Sequence, residues 1–152
     1  MRLSKTLIII FVMSLAGTLW SLYFWYFGDP ITNIMTGDLW NTANALLPCP
    51  LCRYARIALY PMVIISGIWL YNHDHRSVVY CGVLSLLGAL ITGYQILLQA
   101  GVFAVSSVCE IGSVSCAVID WQYLWVTIPM LACAAFIMIA WVSNWYLVKH
   151  KR

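Results

Sequence analysis

The sequence predicts an all-α integral membrane protein: a single domain over residues 1–152, built as a four-transmembrane-helix bundle with N and C termini cytoplasmic. Three observations predict it. First, 63% of the 152 residues are hydrophobic and only 9% are charged, with a mean hydropathy of +0.87. A soluble domain of this size has too little interior to hide so much apolar surface. Second, four apolar runs, 6–27, 51–71, 78–99 and 122–147, each reach the roughly 20 residues that cross a hydrocarbon core. Backbone groups in lipid must be satisfied within the segment, so runs of this length are helices. Third, six of the eight Lys and Arg residues (Arg2, Lys5, Arg76, Lys149, Lys151 and Arg152) fall on one side of a four-helix topology. The two opposite connections, 28–50 and 100–121, contain no Lys or Arg and carry Asp29, Asp38, Glu110 and Asp120. The positive-inside rule then puts both termini in the cytoplasm and both long loops outside.

The first run follows "MRLSK", which looks like the start of a signal peptide. Its apolar stretch is longer than the roughly 7–15 residues of a secretory core. It ends in the bulky "WSLYFWYF" rather than a small-residue cleavage site. An uncleaved helix with an interfacial aromatic belt is therefore expected.

The second run opens with "PCPLCRYAR". Pro50 suits the first helical position, since its missing N–H would be unpaired there anyway. Cys49 then falls at the N-cap and Cys52 in the first turn. The positive helix end and the nearby arginines set positive potential beside these sulfurs. Cys52 and Arg56 are four apart and share a helix face. Arg53 is close enough to the outer edge to snorkel to the headgroups. Arg56, one turn deeper, is less well explained that way.

The third run closes on "GYQILLQ", and the loop beyond it carries "CEIGSVSC". Cys109 and Cys116 enclose six residues, with Gly112 as a turn. No apolar periodicity covers this pair, so it is expected to be open to a soluble protein, as thiol–disulfide exchange requires. All four of these cysteines lie on the outer side, where disulfides persist. Three readings of them stand at this point: a redox relay, two structural disulfides, or a metal site in the outer loops. The structural reading leaves Arg56 unexplained, and the arginines oppose a metal's charge. Cys81 and Cys133 have no partner at useful spacing and read as small buried apolar residues. His73, Asp74 and His75 read as a solvated turn.

"PCPLCRYARIALYP", with its C-x-x-C-x-x-x-R core and later Tyr-Pro, resembles the cysteine motif of the DsbB/BdbC family of disulfide-bond formation proteins. "GYQILLQ", "CEIGSVSC" and "WVTIPMLACAAF" are similar to that family's third-helix end, second redox pair and fourth helix, in the same order. The short second loop leans toward the BdbC-like branch. The resemblance implies a dithiol:quinone oxidoreductase of the bacterial plasma (inner) membrane, with its redox loops on the outer, periplasmic side. The implied partners are a DsbA-like thioredoxin-fold oxidase and the quinone pool, ubiquinone or menaquinone, within the lipid bilayer. No nucleic acid and no metal is expected. By the same resemblance Cys109 forms the mixed disulfide with the partner and Cys116 resolves it. Cys49 and Cys52 then receive the electrons. Cys52 faces quinone, and Arg56 supports the quinone head group. Many members carry His where this chain has Gln95. That position makes Gln95 a candidate quinone contact, one that can hydrogen-bond but not titrate. The first outer loop is longer than in compact members, and its tail "LWNTANALL" is either a short surface helix or a plain covering loop. The rival in the same chemistry is a vitamin-K-epoxide-reductase-like enzyme. It places its C-x-x-C near the end of a later helix, so the order here argues against it. The rival from another class is a non-catalytic membrane protein with structural disulfides or a metal site.

Overall fold

A computed structural model describes residues 3–28, 33–35, 37, 49–72, 76–102 and 122–150. The 39–47 segment, read as either a short surface helix or a covering loop, the 73–75 turn, and Cys109 and Cys116 lie outside the described residues. Four long helices carry the fold: α1 (Leu3–Phe27), α2 (Pro50–Asn72), α3 (Arg76–Gln99) and α4 (Ile128–His150). Each holds a stretch long and apolar enough to cross a membrane: Lys5–Phe27, Pro50–Ile68, Arg76–Gln99 and Ile128–Lys149. The four-helix fold class read from the sequence is the one observed.

The helices pack in chain order, α1 on α2, α2 on α3 and α3 on α4, and α4 returns to α1 to close the ring. Leu7, Ile10, Met62, Val78, Ile139 and Phe136 fill the middle. The outward faces are apolar too, with Ile57, Leu90 and Ile137 well exposed. Such an exterior suits lipid, because tails are as apolar as leucine and supply no drive to hide it. Small polar residues are instead turned inward. Ser14, Ser85 and Thr92 are buried, and their hydroxyls donate to main-chain carbonyls of Phe11, Gly82 and Gly88 at 3.0, 2.8 and 2.8 Å. Hydrocarbon offers no other partner for them.

One close approach sets the α3–α4 seam. At Gly88 a side-chain Cβ would stand 2.5 Å from the Phe136 ring, so only glycine lets that ring lie against α3. At the other end of the ring, α1 stops at Gly28, whose φ of 74° is the left-handed conformation of a helix C-cap. Its N–H donates to the Phe24 carbonyl at 3.1 Å, and Asn33 Nδ2 caps the Phe27 carbonyl at 2.7 Å.

The fourth run is where the observed boundary differs from the expected one. The helix begins at Ile128 rather than 122. The residues before it form a small antiparallel hairpin, β1 (Gln122–Tyr123) and β2 (Val126–Thr127), with Gln122 opposite Thr127 and Tyr123 opposite Val126. Leu124 takes a φ of 56° at its tip, and Gln122 Nε2 donates to the Leu124 carbonyl at 3.0 Å. Tyr123, Leu124, Trp125 and Val126 are themselves hydrophobic, so the apolar run extends past the start of the helix. The hairpin ties the start of α4 to the end of α3 through Thr127 Oγ1, which donates to Gln99 Oε1 at 3.4 Å.

Candidate active site

The site is built where the end of α3 meets the start of α2. Cys49, Leu51 and Leu98 form a buried cluster there, with Cys52 and Ile91 packed against it. Pro50 is the first helical residue of α2, and the Arg53 N–H makes the first helical bond to the Cys49 carbonyl at 3.2 Å. Cys49 therefore holds the N-cap position. Its sulfur also accepts the Cys52 N–H at 3.4 Å, the bond that a serine or aspartate oxygen usually makes at such a cap. The C-x-x-C spacing and the cap are one device. The turn that begins the helix folds the first sulfur back over the second.

The two side chains are thiols in this structure, and Cys49 Sγ donates to Cys52 Sγ at 3.0 Å. Cys49 is buried while Cys52 is partly exposed. Gln95, only 3% exposed, reaches across from α3. Its Nε2 donates to Cys49 Sγ and to Cys52 Sγ, both at 3.2 Å. Cys52 Sγ lies 3.7 Å from Gln95 Oε1 as a longer donor.

Arg56 lies one turn below Cys52 on the same face and is held by α1. Its Nη2 donates to the Ser21 carbonyl at 3.4 Å, and its guanidinium lies 5.2 Å from the centre of the Trp25 ring. Arg53 points away and is exposed. The two arginines, three residues apart, thus occupy different environments. The reason is helical phase: Arg56 shares the face of Cys52, and Arg53 does not.

Cys49, Cys52, Arg56 and Gln95 all line one cavity of about 570 Å³. It continues away from the sulfurs between α1 and α4, past Met13, Gly17, Leu59 and Phe136. Its walls are apolar except at the sulfur end, and its volume is that of a typical small-molecule site. A flat, mostly apolar ring with polar oxygens fits this division, with a guanidinium at the polar end. The structure therefore brings together four of the six residues singled out in the sequence. The other two, Cys109 and Cys116, lie outside the described residues, but the chain leaves α3 and re-enters the hairpin at the cavity's polar end, where Thr127 meets Gln99. Cys81 is buried in the core and Cys133 Sγ approaches the Ala89 carbonyl at 3.9 Å; neither lines the cavity. Among the described residues no three His, Cys, Asp or Glu side chains come together as metal ligands.

Sequence reasoning missed Trp25 and the Ser21 carbonyl. Trp25 belongs to the aromatic run assigned to the membrane interface, and nothing local distinguishes it from Trp20 or Tyr26. Its signal exists only in three dimensions, as the ring within reach of Arg56.

A family model described as disulfide bond formation protein DsbB matches residues 34–146. The SPbeta prophage-derived disulfide bond formation protein B of Bacillus subtilis (strain 168) is 39% identical over 106 residues, covering 69% of this chain and 71% of that protein. A probable disulfide formation protein of Chlamydia trachomatis serovar D is 35% identical over 137 residues, covering 90% and 88%. A probable disulfide formation protein C 2 of Bacillus cereus is 38% identical over 96 residues, covering 62% and 68%. No solved structure matches the chain.

Proposed function

Since the chain belongs to the DsbB family of disulfide bond formation proteins, we propose that it is a membrane dithiol:quinone oxidoreductase. In this reading it reoxidises a DsbA-like thioredoxin-fold oxidase outside the bacterial plasma membrane and delivers the electrons to ubiquinone or menaquinone. The observation that carries the proposal is the pairing of a C-x-x-C dithiol with a guanidinium at the polar end of an otherwise apolar cavity.

The division of labour follows from access. The partner's thiolate attacks Cys109, forming a mixed disulfide as Cys116 leaves as a thiolate; the partner's second thiolate then opens that mixed disulfide, so the partner departs oxidised and the Cys109–Cys116 pair is left reduced. That pair passes its electrons to Cys49–Cys52, which a lipid-soluble oxidant can reach and a soluble protein cannot reach as easily. Quinone, when bound, supplies the two-electron acceptor. Arg56 stabilises negative charge developing at the cavity's polar wall, where low dielectric strengthens each interaction. The apolar walls exclude water from it, and Gln95 lines the same cavity beside the two sulfurs. The one-sided basic residues support an orientation with cytoplasmic termini and outer redox loops.

The test uses detergent-purified protein, a soluble quinone analogue and a reduced thioredoxin-fold oxidase. Quinone absorbance and partner thiols are followed together. Stoichiometric quinone reduction is expected, and Cys52→Ser abolishes it while the helix content is unchanged. Cys109→Ser removes the mixed disulfide with the partner on a non-reducing gel. No quinone reduction beside an active control enzyme overturns the quinone assignment, and a normal adduct yield with Cys109→Ser overturns the order of electron flow.

A further inference from the structure

Gln95 faces the two sulfurs more closely than it faces the open cavity. One amide nitrogen carries two hydrogens, and Nε2 lies 3.2 Å from each of two sulfurs. The side chain is 3% exposed, so water does not compete for those hydrogens. We infer that Gln95 is a catalytic hydrogen-bond donor to the dithiol itself, holding negative charge on Cys49 or Cys52 as the Cys49–Cys52 disulfide is opened.

The chemistry needs such a donor. When a thiolate attacks Cys49 Sγ, a new sulfur–sulfur bond forms to Cys49 as the Cys49–Cys52 bond breaks. The bonding pair leaves on Cys52 as a thiolate, and no net electron is gained or lost in that exchange. A second exchange, by the resolving thiolate on the mixed disulfide, releases Cys49 as a thiolate in turn. The charge thus visits both sulfurs in one turnover. An amide with one hydrogen toward each can serve both without moving, and hydrogen bonds to charged groups are worth more than neutral ones. Glutamine also neither gains nor loses a proton in the working range. Its donation therefore does not lapse on one side of neutrality, as that of a neutral or protonated imidazole would change.

This role rests on the dithiol assignment proposed above, but it does not need quinone. The test is the equilibrium of the Cys49–Cys52 pair with glutathione mixtures, in protein whose Cys109 and Cys116 are replaced by serine. The oxidised fraction is read by alkylation and peptide mass. Stabilising the thiolate forms favours the reduced pair, so removing the donor favours the disulfide. Gln95→Leu is expected to raise the equilibrium constant for disulfide formation about tenfold, the worth of one charge-assisted bond. Gln95→Glu, the same shape with acceptors in place of donors, raises it further, and Gln95→His restores part of the wild-type value. Thermal unfolding identifies any variant that fails to fold, and the remaining two still decide the question. Midpoints within twofold of wild type in Leu and Glu variants overturn the inference, whether or not the quinone KM rises. A rise in KM with unmoved midpoints makes Gln95 a quinone contact instead. A wild-type pair that forms no disulfide in any glutathione mixture overturns the dithiol assignment along with it, an outcome distinct from loss of quinone reduction alone.

Discussion

At the scale of single residues, the site depends on how Arg56 is held. A free arginine side chain in an apolar setting would swing toward the headgroups. Here its fork is fixed at both ends, by the Ser21 carbonyl and by the Trp25 ring. A charge fixed before the reaction costs no reorganisation when negative charge develops beside it. Arg56→Ala is therefore expected to lower quinone reduction about a hundredfold, in line with loss of one preorganised donor, while partner capture through the outer loop is unchanged. Arg56→Lys keeps the charge but not the fork and recovers part of the loss. Trp25→Leu removes only the ring contact, worth about 0.5–1 kcal/mol at a partly exposed site, so its effect is about threefold. Arg53→Ala leaves the rate within about twofold, as for an exposed side chain outside the site. Steady-state kinetics against quinone concentration check all four. An Arg56→Ala enzyme with wild-type KM and rate removes the guanidinium from the mechanism.

At the scale of elements, the α3–α4 seam rests on a missing side chain. Gly88 gives the Phe136 ring its place, and the same ring lines the cavity. Gly88→Ala forces the ring or the helix to move and is expected to destabilise the protein by about 1–3 kcal/mol, the usual cost of overpacking. Combining it with Phe136→Leu recovers part of that loss, because the two sites share one contact. Thermal unfolding in detergent measures both, and strict additivity would show that the seam has no such contact. These elements differ in how far the sequence reveals them. The four helices are legible because a run of about 20 apolar residues has no other stable form in lipid. The N-cap at Cys49 is legible because Pro50 fits only the first helical turn. The Leu124–Trp125 hairpin tip is not legible: it lacks the Asn-Gly or Asp-Gly pair that marks a tight turn, and its residues are as apolar as the helix that follows. Cys52 and Arg56 can be placed on one face from their spacing, since four residues make about one turn. The meeting of Gln95 with Cys49, 46 positions apart, and of Trp25 with Arg56 cannot, because those contacts come from how helices pack rather than from any local period.

At the scale of the whole molecule, the ring of four antiparallel helices settles which ends share a face. The end of α1 meets α2 through Arg56 and Trp25, the start of α2 meets α3 through Cys49 and Gln95, and the start of α4 meets α3 through Thr127 and Gln99. The polar end of the cavity and the chain ends that lead into 103–121 are therefore on one side. The opposite side receives the starts of α1 and α3 and the ends of α2 and α4, and with them Lys5, Arg76 and Lys149. The proposed orientation puts those charges in the cytoplasm, since Lys and Arg in short flanks resist translocation while acidic residues matter little. Alkaline phosphatase fused after Lys149 is expected to be inactive in cells and a green fluorescent protein fused there to be bright. Phosphatase fused within 103–121 should be active. An impermeant thiol reagent applied to intact cells should label Cys109 and Cys116 after mild reduction, with no need to permeabilise the membrane. The reverse pattern would place the dithiol on the reducing side of the membrane, where the glutathione pool holds thiols reduced. A relay that exports electrons from a secreted oxidase could not work from that side, so this topology is a condition of the proposed function and not an accessory to it.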